Sequence, residues 1–113
     1  MSDELTIMLT DRQPVRITKD DWPIIASARD WDNEHEFQAN RKWKLFVRQH
    51  EDGRCIVYGI YDTQWQRESD RRHGVLIDSI DDAPSSIKSV AESIGADETL
   101  ADNCIADLPA VRI

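Results

Sequence analysis

Apolar and polar positions alternate most clearly between Lys42 and Asp62, in two runs broken by Asp52-Gly53. Alternation of this kind predicts strands with one face buried. Asp-Gly between two such runs predicts a tight hairpin, because the turn needs positive φ and glycine supplies it at little cost. A two-residue loop sets Glu51 against Arg54, Val47 against Tyr58 and Leu45 against Ile60. The expected core face is then Trp43, Leu45, Val47, Ile56, Tyr58 and Ile60, and the outer face carries Lys44, Phe46, Arg48, His50, Cys55, Val57, Gly59 and Tyr61. A three-residue loop with a bulge at Gly53 would shift the pairing by one residue. The first register separates the two faces better and is preferred on that ground.

Upstream, Thr6–Leu9 and Val15–Ile17 are short apolar runs around a turn-like Thr10–Gln13, and they predict a small N-terminal hairpin with Pro14 at a strand start or edge. A helix is expected from Thr18 to about Trp31. Thr18 has the chemistry of an N-cap, Asp21 stands three residues on, and Ile17 and Trp22 occupy the positions of a hydrophobic staple. Trp22, Ile25, Ala26 and Arg29 recur at helical spacing. Residues 32–40 read as a polar, acidic loop in which Phe37 is the one residue expected to be anchored. Residues 63–73 read as a polar connection around Trp65, and Gly74–Ile77 as a further strand. Pro84 suits a first helical turn, and Ile87, Val90, Ala91 and Ile94 keep helical spacing up to Gly95, a natural stop. Asp97 then caps a last helix bearing Leu100, Ala101, Cys104, Ile105 and Leu108 on one face, ended by Pro109.

Together these elements predict one α+β domain over residues 1–113, in the order ββαβββαα. It is an antiparallel sheet around the Asp-Gly hairpin, with one N-terminal helix and a C-terminal αα-hairpin packed on one face.

Composition narrows the class of protein. The chain has 113 residues, 40% hydrophobic and 32% charged, which describes a folded soluble domain rather than a disordered one. No apolar run approaches the roughly 20 residues that span a bilayer. The start, Met1-Ser2-Asp3-Glu4, is acidic and unlike a secretory signal, so the expected setting is cytoplasmic, without membrane contact. The two cysteines, Cys55 and Cys104, are expected as buried apolar residues rather than a disulfide.

The net charge is −8, and it is unevenly placed. Residues 41–73 carry +3, between an N-terminal segment at −5 and a C-terminal segment at −6. Basic residues interleaved with aromatics are what phosphate contact plus base stacking require. The candidate nucleic-acid residues are Arg41, Lys42, Lys44, Arg48, Arg54, Arg67, Arg71 and Arg72. The same pattern also describes a solvated sheet guarded by cations.

Catalytic signals are thin. His35, His50 and His73 have no ligand-spaced partner, and His35-Glu36 lacks a second histidine because Ala39 stands there, so no metal is expected. No nucleophile elbow and no glycine-rich phosphate loop occurs, and no cofactor is expected. The acidic pairs Asp20-Asp21, Asp81-Asp82 and Asp97-Glu98 all fall at expected helix starts, where the helix dipole accounts for them. The function expected first is therefore a small non-enzymatic interaction or regulatory domain. It would bind a protein partner, or itself as a homodimer through a sheet edge, by the outer hairpin face, with Phe46, Tyr61 and Trp65 as anchors and Arg48 as the charge contact. Nucleic-acid binding by the 41–73 segment is the alternative, and an acidic DNA-mimic inhibitor a further one.

Overall fold

A computed structural model describes residues 3–109, so Met1 and Ser2 of the acidic start lie outside the described residues. It shows an α+β fold of two antiparallel sheets and two C-terminal helices. Strands β1 (Glu4–Ile7) and β2 (Val15–Thr18) pair with each other. Strands β3 (Ile24–Trp31), β4 (Arg41–Gln49), β5 (Cys55–Thr63) and β6 (Arg71–Ile77) form a four-stranded meander in that spatial order. Helices α1 (Ala83–Ser93) and α2 (Glu98–Ala106) follow. No helix among the described residues is long and apolar enough to cross a membrane.

The N-terminal helix expected over Thr18–Trp31 does not form, and the order is ββββββαα. Thr18 ends β2, and residues 19–22 turn back through hydrogen bonds from the Asp21 and Trp22 N–H groups to the Thr18 and Lys19 carbonyls (3.0 and 3.2 Å). The chain then runs as β3 along β4, from Ile24 opposite Arg48 to Trp31 opposite Lys42. Ala26 and Ala28 face one way while Ser27 and Arg29 face the other, a period of two that the helical reading overlooked. A bulge between Ile24 and Ala26 puts Ile25 beside Ala26 in the core, which imitates helical spacing over four residues. Pairing with β4 overrides whatever local preference remains.

The turn between β4 and β5 also differs from the preferred reading. His50 N–H bonds to the Arg54 carbonyl (2.9 Å) and Gly53 N–H to the His50 carbonyl (2.9 Å), leaving Glu51, Asp52 and Gly53 as a three-residue loop. Gly53 takes φ +99°, the left-handed conformation that makes such a loop possible. Val47 therefore faces Val57, and Leu45 faces Gly59. This one-residue shift exchanges the faces of β5: Val57, Gly59 and Tyr61 join Trp43, Leu45 and Val47, whereas Ile56, Tyr58 and Ile60 join Phe46 and Arg48.

Both faces of the sheet are covered. On one, Leu45, Val47, Cys55, Val57 and Tyr61 pack against Ile87, Val90 and Ile94 of α1 and its end, and Leu100 and Cys104 of α2. On the other, Ile56 and Tyr58, with Phe46 and Ile60, pack against Ile7, Leu9, Ile17 and Trp22. The result is three layers: the small N-terminal sheet, the main sheet and the helix pair. The run Cys55–Gly59 is buried throughout because it lies at the centre of all three. Gly95, at φ +73°, ends α1, and the Asp97 carboxylate accepts from Thr99 N–H at 2.9 Å to start α2. Both outer edges of the main sheet are partly satisfied. Ser27 N–H of β3 bonds to Asp107 (2.9 Å), and Thr10 N–H bonds to the Gly74 carbonyl of β6 (2.8 Å).

Candidate interaction cleft

Three strand ends meet at one end of the main sheet: β4 starts at Arg41, β5 stops at Thr63 and β6 starts at Arg71. Register places Trp43, Tyr61 and Arg71 side by side across the three strands on the helix face. The C-terminal end of α1 arrives over them with Ile94 and Gly95, and residues 64–70 rise beside them. Between these parts lies a cleft of about 590 Å³ with a floor of Trp43 and Tyr61 and walls including Arg67, Ser69 and Arg71. A second hollow of about 590 Å³ shares Arg41, Arg67 and Glu68 with the first and is also lined by Trp65.

Glu68 organises this region. Its carboxylate accepts hydrogen bonds from Arg41 Nε and Nη2 (3.1 and 2.9 Å), from the Tyr61 hydroxyl (2.7 Å) and from Thr63 Oγ1 (2.8 Å). These donors hold its carboxyl down at about 2, with the Arg41 bond the strongest cause, and the same bond pushes the Arg41 guanidinium further up. The loop has further ties. Gln64 N–H bonds to the Asn40 carbonyl (2.8 Å), Trp65 N–H to Thr63 Oγ1 (3.1 Å), and Thr63 N–H to Asp70 (2.9 Å). Arg41 also lies 5.5 Å from the Trp65 ring centroid and 4.0 Å from Asp32. The aromatic floor is stacked, Trp43 on Tyr61 at 5.2 Å, with the Arg71 guanidinium 5.7 Å from the Tyr61 ring.

Charge at the cleft follows from these contacts. Glu68 and Asp32 neutralise Arg41, whereas Arg67 and Arg71 make no ion pair with any described residue. Trp65, which lines the second hollow with Arg67, keeps 50% of its surface exposed.

The basic segment does not come together as one patch. Lys42 and Lys44 lie half-buried on the opposite face of β4, across from Trp31 and Arg29. Arg72 pairs with Asp62 at 2.6 Å. Arg54 sits at the far end of the sheet, bonded to Asp52 (2.8 Å) and 5.3 Å from the Trp22 ring. Arg48 is buried at 8% exposure, donating to the Tyr58 hydroxyl and the Trp22 carbonyl, both at 2.9 Å. Of the eight cations named from the sequence, the structure gathers Arg41, Arg67 and Arg71 here.

The four residues expected as partner contacts also separate. Phe46 is half-buried and stacks on Tyr58 at 5.1 Å beneath the N-terminal sheet, and Arg48 is inside. Tyr61 is on the opposite face as cleft floor, and Trp65 is at the rim. The outer hairpin face of the sequence reading is thus divided between the two packed faces of the sheet, its β4 residues under the N-terminal sheet and its β5 residues under the helices. Phe37, expected to be anchored, is 79% exposed, touching only the His35 ring among aromatics, at 5.5 Å. Sequence reasoning missed Glu68 altogether, because a carboxylate in a polar loop shows no pattern that marks it as a hub. Trp43, expected on the core face of the hairpin and next to the basic run, is half-buried in the cleft floor. The signal for Phe37 was present: an aromatic in an acidic stretch with only the small Ala39 as an apolar neighbour at strand or helix spacing.

Cys55 and Cys104 are free and buried, and burial raises both thiols, Cys104 to about 11. Among the described residues, no three His, Cys, Asp or Glu side chains gather as metal ligands. Comparison with known proteins finds no family model, no curated protein and no solved structure that matches this chain.

Proposed function

We propose that this is a non-enzymatic interaction domain whose working surface is the Arg41–Arg71 cleft, and that the cleft captures an acidic segment of a protein. The observation that carries this reading is the pair of uncompensated cations, Arg67 and Arg71, placed over an aromatic floor beside half-exposed Trp65. Arg and Trp in one pocket are the residue types that dominate binding energy at protein interfaces. The loop that presents them is tied in place beforehand, which lowers the ordering cost of capture. Glu68 is held ionised by four hydrogen bonds, so it neither releases nor takes up a proton near neutral pH, and no histidine lines the cleft. Binding suits this set of groups; acid–base chemistry does not. A cytoplasmic setting fits the free thiols of Cys55 and Cys104.

Single-stranded nucleic acid is the second reading, favoured by the exposure of Trp65 next to Arg67. Two uncompensated cations on a chain of net charge −8 suit one short acidic segment better than a run of phosphates. The test is fluorescence anisotropy with two labelled probes, a synthetic peptide of Glu and Asp around one Phe, and an oligothymidylate. The peptide is expected to bind, and Arg67→Ala with Arg71→Ala to weaken it about tenfold or more. Peptide binding indifferent to those substitutions, or none, overturns the reading. Tighter, salt-steep binding of the oligonucleotide puts nucleic acid in its place.

A further inference from the structure

The same end of the sheet carries a second exposed feature of opposite sign. The segment 32–38 holds Asp32, Glu34 and Glu36 around Phe37, and it contains no Lys or Arg. Its 3-10 turn, Glu36–Gln38, lifts Phe37 to 79% exposure. Apolar surface of that size on one side chain is costly to leave in water, and burying it yields about 1.5–3 kcal/mol. This segment adjoins the cleft loop: Gln64 N–H bonds to the Asn40 carbonyl at 2.8 Å, and Arg41 stands between Asp32 and Glu68. One end of the molecule therefore presents, side by side, an acidic projection tipped with Phe37 and a basic hollow rimmed by Trp65.

We propose that the occupant of the cleft is the 32–38 segment of a second copy of this chain. The inference rests on the reading of the cleft as the working surface. A two-fold interface requires one patch to be complementary to itself, with each partner offering both halves. An acidic projection next to a basic hollow meets that requirement in a single patch: each copy places Glu34, Glu36 and Phe37 against the Arg67, Arg71 and Trp65 of the other. Charge fixes the register of the two copies, and Phe37 packing on Trp65 supplies the apolar contact. The arrangement differs from a dimer made by sheet extension, where the Asp107 and Thr10 contacts already occupy part of each edge.

The test is light scattering on the full chain from micromolar to millimolar concentration. It compares wild type, the cleft variant Arg67→Glu with Arg71→Glu, the loop variant Glu34→Arg with Glu36→Arg, and a mixture of the two variants. Glu34, Arg67 and Arg71 are exposed and Glu36 is half-buried in the 3-10 turn, and circular dichroism checks the fold of each variant. Wild type is expected to dimerise in a salt-sensitive way. Each variant alone is expected to dimerise at least about tenfold more weakly, since like charges then meet at both contacts. The equimolar mixture should regain the dimer, because in the mixed pair both contacts bring opposite charges together. A wild type that stays monomeric overturns the inference, as does a dimer that survives both variants or a mixture that does not recover. If wild type is monomeric yet the acidic peptide still binds at Arg67 and Arg71, the self-pairing falls while the cleft reading stands. If the peptide fails as well, both fall.

Discussion

Replacing Arg48 by Met separates a structural cation from a surface one. Arg48 is 8% exposed, and its guanidinium donates two hydrogen bonds of 2.9 Å, to the Tyr58 hydroxyl and to the Trp22 carbonyl. Hydrogen bonds from a charged donor contribute about 1.5–3 kcal/mol each, so the pair contributes about 3–6. Removing the cation also removes the cost of keeping it out of water, and the Met chain retains part of the alkyl packing, together offsetting about 1–2 kcal/mol. The Trp22 carbonyl is left without its donor, whereas the Tyr58 hydroxyl can turn to a new partner. The net loss expected is about 2–4 kcal/mol of a total stability of about 5–15. For a domain of this size that lowers the melting temperature by about 8–20 °C. Thermal unfolding followed by circular dichroism reads the shift directly, with urea unfolding as a check on the free energy. Binding of the acidic peptide, measured well below the melt, should be unchanged. A melting temperature within about 2 °C of wild type, with peptide binding lost, would refute this reasoning and return Arg48 to the surface role the sequence suggested.

Three other outcomes follow from particular contacts. A Cβ on Gly59 would stand 2.8 Å from Val90 Cγ1, 3.0 Å from Ile94 Cδ1 and 3.1 Å from Leu45 Cδ2, so Gly59→Ala should push α1 off the sheet. It should cost about 1–3 kcal/mol in urea unfolding, and no loss would contradict the helix–sheet contact. Glu68 has its carboxyl lowered to about 2 from an ordinary value near 4.5, so its contribution is whole above pH 4.5 and fades as pH falls towards 2. Glu68→Gln should therefore flatten the acid side of the stability profile, and parallel profiles for variant and wild type would contradict the hub. Cys55 and Cys104, buried and with raised thiols, should resist a thiol reagent at pH 8 until denaturant is added. Rapid modification of either in the native protein would show that the core places it wrongly.

The legible parts of this fold are those where one local rule acts without competition. Helix α1 has Pro84 in its first turn, an unbroken apolar face and Gly95 at positive φ, and nothing in the tertiary structure opposes them. Residues 18–31 show the reverse. Capping residues and apolar spacing both favoured a helix, yet the free edge of β4 recruited the segment as a strand, and a bulge at Ile25 disguised its period of two. The hairpin register turned on one residue of loop length, which the dipeptide Asp52-Gly53 does not decide, since Gly53 serves either turn. That residue decided which of two apolar faces each β5 side chain joined. Because both faces are buried, residue polarity along β4 carries no mark that Arg48 points inwards. At the candidate site, Arg41, Tyr61, Trp65, Arg67 and Arg71 were legible as residue types. Their gathering was not, because it depends on strand ends that meet only in the folded sheet and on a loop held by Glu68.

The central claim is that the loop end of the sheet, and not the face of the β4–β5 pair, is where this protein binds. The most direct measurement is a backbone amide NMR titration of the wild-type chain with the acidic Phe-containing peptide. Shifts are expected to cluster at Arg41, Tyr61, Trp65 to Arg71 and Gly95, with Phe46, Arg48 and Tyr58 unmoved. Shifts centred on Phe46, Arg48 and the N-terminal sheet, or none at millimolar peptide, would contradict it.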